Sequence, residues 1–213
     1  DHRDLHSFPT RRSSDLSNER YQVTYGTEGS GPIDADLLCV GSHPDLPDIL
    51  IEMKEMTVQY DSRVILDKIN WVMKRGENWA ILGPNGSGKS TILRLILGEN
   101  LQGYANQMVL FGKRKGTGET LWEIKKRIGA VSSELQIQYR KKMDAYDVIA
   151  SGFYDSIGLY QYPTPEQREV VDRWIQLLHI EDIAREPYHR LSYGQKRMIL
   201  LARAMVKSPA LLI

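Results

Sequence analysis

One octapeptide of the sequence has the residue types and spacing of a loop that binds phosphate groups. It reads Gly-Pro-Asn-Gly-Ser-Gly-Lys-Ser over residues 83–90 and matches the pattern G-x-x-x-x-G-K-[ST]. A polyphosphate needs several hydrogen-bond donors at short range, and glycines let backbone N–H groups approach it without an intervening Cβ. The pattern therefore predicts nucleotide contacts from this loop and the residue after it: Gly83, Pro84, Asn85, Gly86, Ser87, Gly88, Lys89, Ser90 and Thr91.

Two side chains at the end of this loop complete the predicted chemistry. The Lys89 ammonium is expected to reach the β- and γ-phosphates of ATP, and the Ser90 hydroxyl is expected to ligate Mg²⁺. A glycine-rich turn that matches the pattern by chance is the alternative. The flanking sequence favours the functional interpretation, because the apolar run 79–82 predicts a strand before the loop. The apolar residues of 92–97 predict a helix after it, whose positive end would face the phosphates.

A second motif, Leu-Ser-Tyr-Gly-Gln at residues 191–195, opens a predicted helix far downstream. Its serine and glutamine have the spacing of a capping box, so an ordinary helix cap is one interpretation. The other is an anion site, because a glycine at a helix N-terminus leaves backbone N–H groups open to a ligand. The residues concerned are Ser192, Tyr193, Gly194 and Gln195.

Together the two motifs resemble the Walker A and LSGGQ signature motifs of ATP-binding cassette (ABC) ATPases, with Tyr193 replacing the first signature glycine. The resemblance covers residues 51–213 and implies an α/β fold of the ABC type of P-loop NTPase. This fold comprises a RecA-like core with an antiparallel β subdomain over residues 51–138 and a helical subdomain over 139–207. The resemblance also implies ATP and Mg²⁺ as ligands, and a signature motif that contacts the ATP of an opposing cassette.

Two further positions follow from this resemblance. Tyr60 lies where the family places the aromatic ring that stacks on adenine, and a ring packed in the core is the alternative. Ser133 aligns with a glutamine that usually contacts Mg²⁺ and the attacking water, so the sequence departs from the family pattern there. Ser133 is therefore a candidate metal ligand, with Glu134 and Gln136 as alternatives that the sequence does not separate.

Five other segments, 102–106, 110–114, 118–122, 128–133 and 151–160, narrow the resemblance to one bacterial group. These are the molybdate-transport-associated ATP-binding proteins, also called photorepair proteins, and the match is to the second of their two cassettes. The resemblance implies a soluble, cytoplasmic tandem ATPase whose partner cassette lies in the same chain. The alternatives are the ATPase subunit of a small-molecule importer, held at the inner membrane by a membrane subunit, and a regulator that clamps a large partner such as the ribosome.

Composition excludes several other classes of protein. The 213 residues are 41% hydrophobic and 26% charged, with a formal net charge of +1, so bulk charge does not predict binding to nucleic acid. No apolar run approaches the roughly 18 residues that span a bilayer. The single cysteine, Cys39, excludes an internal disulfide and fits a reducing compartment.

The start of the sequence carries its own predictions. Residues 1–16 resemble a translated sequencing adapter and are interpreted as a cloning artefact; a disordered tail or an organelle transit peptide is the alternative. Residues 17–50 are rich in Gly, Ser, Pro and Asp and predict a mostly disordered linker.

The catalytic residues of the family are expected beyond the other end of the sequence. The last residue is Ile213, in the apolar run 210–213, and the family continues from this run into the Walker B aspartate and the catalytic glutamate. The resemblance thus implies that both carboxylates lie beyond Ile213. We therefore expect a fold truncated before Walker B, without catalytic residues of its own.

We expect a polypeptide of these 213 residues to bind Mg-ATP weakly and to hydrolyse it negligibly. The loop 83–90 positions phosphates, but a general base that deprotonates water is typically worth about 10²–10⁴-fold in rate. Phosphate release would be measured beside a version extended through the family's downstream switch histidine. Equal turnover by the two polypeptides would show that the catalytic residues are assigned to the wrong segment.

Overall fold

The computed structural model describes residues 45–118, 120–139 and 143–213. The described residues form two compact units, the first over 45–118 and the second beginning at residue 120. The predicted artefact and residues 17–44 of the predicted linker lie outside the described residues. The last two residues of the predicted linker, Ile49 and Leu50, belong to the first strand instead. The predicted boundary between residues 138 and 139 stays a prediction.

The first unit is an antiparallel sheet of strand order β2-β1-β3-β4 with one α-helix. A hairpin of two long strands forms most of this sheet, and its turn contains Asp61, whose φ of 52° lies in the left-handed region that Asp tolerates. Its elements are β1 (Ile49–Tyr60), β2 (Arg63–Lys74), α1 (Lys89–Ile96), a 3₁₀ helix (Leu101–Tyr104), β3 (Gln107–Leu110) and β4 (Lys113–Arg114).

A β-bulge in β1 keeps the apolar residues of this strand on one face. Ile51 and Met53 are buried at odd positions, whereas Met56 and Val58 are buried at even positions. The register against β2 shifts between Met53 and Met56, where Glu55 has a φ of 47°. One inserted residue reverses the alternation of side chains, so both pairs point into the same core.

The run 79–82 was predicted to be a strand but is not part of a sheet, so this prediction is wrong. A segment becomes a strand only when a neighbouring strand bonds its N–H and C=O groups. Within the described residues no strand is paired with this run. Parallel partners come from distant parts of a chain, so the local apolar pattern of residues 79–82 carried no information about one.

The second unit is mainly helical and contains a short parallel strand pair. Ile128 pairs with Leu211 and Gly129 with Leu212. Its elements are α2 (Leu121–Lys126), β5 (Ile128–Gly129), α3 (Ser133–Gln138), α4 (Ala145–Ala150), α5 (Pro165–Leu177), α6 (Tyr193–Met205) and β6 (Leu211–Leu212), with 3₁₀ helices at Ser151–Tyr154, Glu181–Ile183 and Tyr188–Arg190.

The two longest helices of this unit begin at capping boxes and meet in a common core. Thr164 caps α5 with Pro165 in the first turn, as the order Thr-Pro-Glu-Gln of residues 164–167 predicts. Trp174 of the same helix is buried. From α6, Ile199 and Leu200 join the same apolar cluster. Within the described residues of both units, no helix is long and apolar enough to cross a bilayer.

The C-terminal end of α6 packs closely against the 3₁₀ helix Ser151–Tyr154. A Cβ on Gly152 would lie 2.1 Å from the carbonyl oxygen of Arg203. The Arg203 side chain is itself buried, and its Nε donates a hydrogen bond to the Tyr139 hydroxyl at 2.6 Å. Gly152 is therefore required by the close approach of two backbones.

We expect Gly152→Ala to lower the free energy of unfolding by about 1–3 kcal/mol, because the added methyl group overlaps a backbone carbonyl that cannot rotate away. Gly194→Ala is the matched control, since a Cβ there meets nothing within 4 Å. Urea denaturation of both variants measures the difference. A Gly152→Ala protein as stable as the control would contradict the packing described here.

Candidate functional site

The glycine-rich loop enters α1 without a capping side chain. Gly88 is the N-cap residue, with a φ of 89°, and no side chain accepts a hydrogen bond from the first turn. Gly86 also has a positive φ, of 82°. The first N–H groups of a helix have no partner within the helix. The amides at the start of α1 therefore point away from the helix towards the loop.

The close approach of β2 explains why residue 88 is glycine. A Cβ at this position would lie 2.6 Å from Cδ2 of Leu66 and 3.2 Å from the carbonyl oxygen of Ile65. The left-handed backbone conformation would in addition strain any other residue. The β1–β2 hairpin thus packs directly against the end of the loop.

The loop folds around the lysine that follows it. Nζ of Lys89 donates hydrogen bonds to the carbonyl oxygens of Gly83 and Pro84, both at 2.8 Å. The hydroxyl of Ser87 is buried and has no hydrogen-bond partner, and Ser90 is exposed at the first turn of α1. A lysine charge, an unpaired hydroxyl and uncapped amides meet at this loop, a donor set that fits a polyphosphate.

The segment before the loop is anchored on β2 by one carboxylate. Glu77 accepts hydrogen bonds from the backbone N–H of Lys74 at 3.0 Å and from the Trp79 indole at 2.9 Å. These two hydrogen bonds hold the pKa of Glu77 below its usual value, and the bond from the Lys74 backbone has the larger effect. The Trp79 ring also packs edge-to-face on Trp71, with centroids 5.6 Å apart. The start of the loop is therefore fixed although residues 79–82 form no strand.

Tyr60 ends β1 in the same unit as the loop. Its side chain is 51% exposed, so a ring packed in the core does not describe it. Its hydroxyl accepts a hydrogen bond of 3.0 Å from Nδ2 of Asn100, which is itself buried. The ring is therefore held at one end and open to solvent elsewhere, and its stacking on adenine stays a prediction.

The motif at 191–195 forms the first turn of α6 in the second unit. Ser192 accepts a hydrogen bond from the backbone N–H of Gln195 at 3.3 Å, and the Gln195 side chain accepts one from the N–H of Ser192 at 2.9 Å. The capping box therefore exists. Nothing lies within 4 Å of a Cβ placed on Gly194, and Tyr193 is 65% exposed. The cap leaves the surface at Gly194 open, so it is compatible with the signature role, which stays a prediction.

Arg197 connects the two positions at which the sequence departs from the family pattern. Its Nη2 donates to the hydroxyl of Ser133 at 2.8 Å and to the hydroxyl of Tyr193 at 3.0 Å. The guanidinium also lies 5.4 Å from the centre of the Tyr193 ring. Arg197 belongs to neither motif, although its spacing of four residues from Tyr193 on one helix predicts contact.

The same contact bears on the predicted metal ligands. A guanidinium beside Ser133 repels a cation, so this geometry does not favour Mg²⁺ at Ser133, and that assignment stays a prediction. Of the two alternatives, Gln136 has a buried side-chain oxygen without a hydrogen-bond partner. The described part of the chain contains no group of three His, Cys, Asp or Glu side chains that could hold a metal. Mg²⁺ would therefore depend mainly on phosphate oxygens and water, with Ser90 as protein ligand.

The catalytic carboxylates are expected after Ile213. The hydrogen bonds of Ile213 are backbone bonds that continue the parallel strand pair. Its N–H donates to the carbonyl oxygen of Gly129 at 2.8 Å, and its own carbonyl oxygen accepts from the N–H of Val131 at 2.7 Å. Its apolar side chain has no group that could bind a nucleotide or activate water, so Ile213 is not itself a site residue. The position of the Walker B aspartate and the catalytic glutamate beyond Ile213 stays a prediction.

Comparisons with known proteins agree with both motifs. The family model described as ABC transporter matches residues 66–213. The chain is 48% identical over 164 residues to the ABC transporter ATP-binding protein ModF of Escherichia coli (strain K12), covering 76% of this chain and 34% of that protein. It is 31% identical over 166 residues to the zinc uptake system ATP-binding protein ZurA of Listeria innocua, covering 77% and 62%.

A solved structure extends this agreement to the fold. The structure of cbiO1 from Clostridium perfringens, described as part of the ABC transporter complex cbiONQ, superimposes with a TM-score of 0.65 and 28% sequence identity. The superposition covers 78% of this chain and 64% of that one. The chain thus spans about a third of the length of ModF (34%) and less than two thirds of ZurA or cbiO1. The family match contains the loop 83–90 and the motif 191–195. The chain therefore belongs to the ABC transporter family, whose ATPases hydrolyse ATP.

Proposed function

We propose that the chain binds Mg-ATP at the loop 83–91 and serves as one cassette of a tandem ABC ATPase that hydrolyses it. The observation that carries the proposal is the start of α1, where Gly88 replaces a side-chain cap and Lys89 is folded over the loop. An uncapped helix N-terminus and a lysine charge at one point favour an anion with several charges.

Each residue of the site has a separate task in this proposal. The amides of residues 85–91 donate to the phosphate oxygens, and Lys89 balances charge on the β- and γ-phosphates. Ser90 holds Mg²⁺, which neutralises phosphate charge when it is bound. Tyr60, on the hairpin that packs against Gly88, stacks on the adenine ring.

Hydrolysis requires a second cassette in this proposal. Ser192, Gly194 and Gln195 would contact the γ-phosphate of ATP held by the loop of that cassette rather than of their own. The open surface at Gly194 supports this role, because a phosphate can approach the backbone of α6 there. The role in molybdate transport or photorepair and the cytoplasmic location rest on the segments that resemble the molybdate-transport-associated group. The chain is 48% identical to ModF but spans only 34% of it, which leaves room for a second cassette in such a protein.

A second candidate function is the ATPase subunit of a small-molecule importer. It is favoured by the identity of 31% to a zinc uptake system ATP-binding protein, and by the similar fold of cbiO1, which is described as part of an ABC transporter complex. The gene that encodes the protein separates the two functions. A second Walker A motif in the same reading frame supports the tandem ATPase, and a neighbouring gene for a membrane subunit supports the importer.

We expect Lys89→Met to weaken Mg-ATP binding by about 10- to 100-fold, because hydrogen bonds to charged groups are worth roughly 1.5–3 kcal/mol. Titration with a fluorescent ATP analogue measures the affinity. Lys113→Met, on the exposed strand β4, is the matched control and should bind as the unaltered chain does. Equal affinities of the two variants would show that the loop is not the nucleotide-binding site.

We expect Gly194→Asp to abolish ATP-driven association of two cassettes while leaving ATP affinity unchanged. Its Cβ has open space, so the fold accepts the side chain, but the carboxylate repels a phosphate brought by the partner. Sedimentation with and without Mg-ATP measures association. Gly194→Ser is the neutral control of similar reach. Undiminished association of the aspartate variant would show that α6 does not face the nucleotide.

A further inference from the structure

Side-chain amides continue the sheet along the edge of β1 beyond the part of this strand that pairs with β3. β3 pairs with β1 only over Ile51–Lys54. Farther along this strand, Nδ2 of Asn106 donates to the carbonyl oxygen of Thr57 at 2.9 Å, and its Oδ1 accepts from the N–H of Thr57 at 3.0 Å. One amide side chain thus makes both bonds that a strand residue would make.

The next amide repeats this pattern at the correct spacing. Nε2 of Gln102 donates to the carbonyl oxygen of Gln59 at 2.7 Å, and its Oε1 accepts from the N–H of Gln59 at 3.0 Å. Thr57 and Gln59 are alternate residues, which present their backbone groups to the same edge of a strand. The two amides therefore fix the last residues of β1.

A third amide takes this series to the aromatic ring. Oδ1 of Asn100 accepts a hydrogen bond from the N–H of Gln102 at 3.0 Å and so caps the 3₁₀ helix. Its Nδ2 donates to the hydroxyl of Tyr60 at 3.0 Å. Asn100 is only 7% exposed and both ends of its amide are bonded, so its orientation is fixed, whereas Tyr60 is half exposed.

We propose that Asn100 is a positioning residue, which holds the Tyr60 ring at the position that receives the purine base of the bound nucleotide. The inference rests on the proposed function and adds a residue that does not touch the ligand. An exposed tyrosine must otherwise be immobilised when a base stacks on it, at a cost that lowers affinity. The bond from Asn100 fixes the ring before the nucleotide binds.

Three variants separate this role from the structural role of Asn100. Asn100→Ser keeps an N-cap for the 3₁₀ helix but is too short to reach Tyr60. Asn100→Asp keeps the cap and a partner for the ring, because the Tyr60 hydroxyl can donate to a carboxylate. Tyr60→Phe keeps the ring and removes only its hydroxyl. Thermal denaturation establishes that each variant is folded.

The affinities of the chain for Mg-ATP and for magnesium tripolyphosphate, which has no base, test the proposal. We expect Asn100→Ser and Tyr60→Phe each to weaken ATP binding by about 2- to 10-fold, and the double variant to lose no more than either. Asn100→Asp should retain the affinity of the unaltered chain, and tripolyphosphate binding should stay the same throughout.

Other results overturn the inference in distinguishable ways. Unchanged ATP affinity in Asn100→Ser shows that the hydrogen bond does not position the ring. An equal loss for ATP and tripolyphosphate shows that Asn100 supports only the fold. If the unaltered chain binds tripolyphosphate as tightly as ATP, the loop binds the phosphates but base stacking contributes nothing to affinity. If it binds neither ligand, the proposed function fails as well.

Discussion

The left-handed conformation of Gly88 is the constraint on which the candidate site depends. It turns the chain from the loop into α1 with no side chain in the capping position, so the first amides of the helix have no partner within it. It also lets Leu66 and Ile65 of β2 approach to contact distance. One glycine thus creates the donors of the site and joins them to the hairpin that carries Tyr60.

The start of α6 has the opposite arrangement. There Ser192 and Gln195 satisfy the helix end with a capping box, and Gly194 keeps only the outer surface open. Such a helix is stable without a ligand and can offer its dipole to an anion from outside. Arg197 holds Tyr193 of its first turn and Ser133 of α3 together. The two departures from the family pattern are therefore in contact through one side chain.

Features set by local chemistry were predictable from the sequence, and those set by distant contacts were not. The glycines of residues 83–88 and the capping box at Thr164 act within a few residues, and the structure has both. The fold class followed from two motifs and their order, and the family match confirms it. The strand prediction for residues 79–82 failed because pairing needs a partner that no local pattern specifies.

The contacts of Asn100, Gln102 and Asn106 were not predictable for the same reason. Their partners on β1 lie about 40 to 50 residues away and carry no distinctive sequence.

NMR signals of the backbone amides, followed during titration with Mg-ATP, show whether the start of α1 binds the phosphates. We expect the largest shifts on the amides of residues 86–90, at the start of α1. Shifts confined to other residues, with those amides unmoved at saturation, would contradict it.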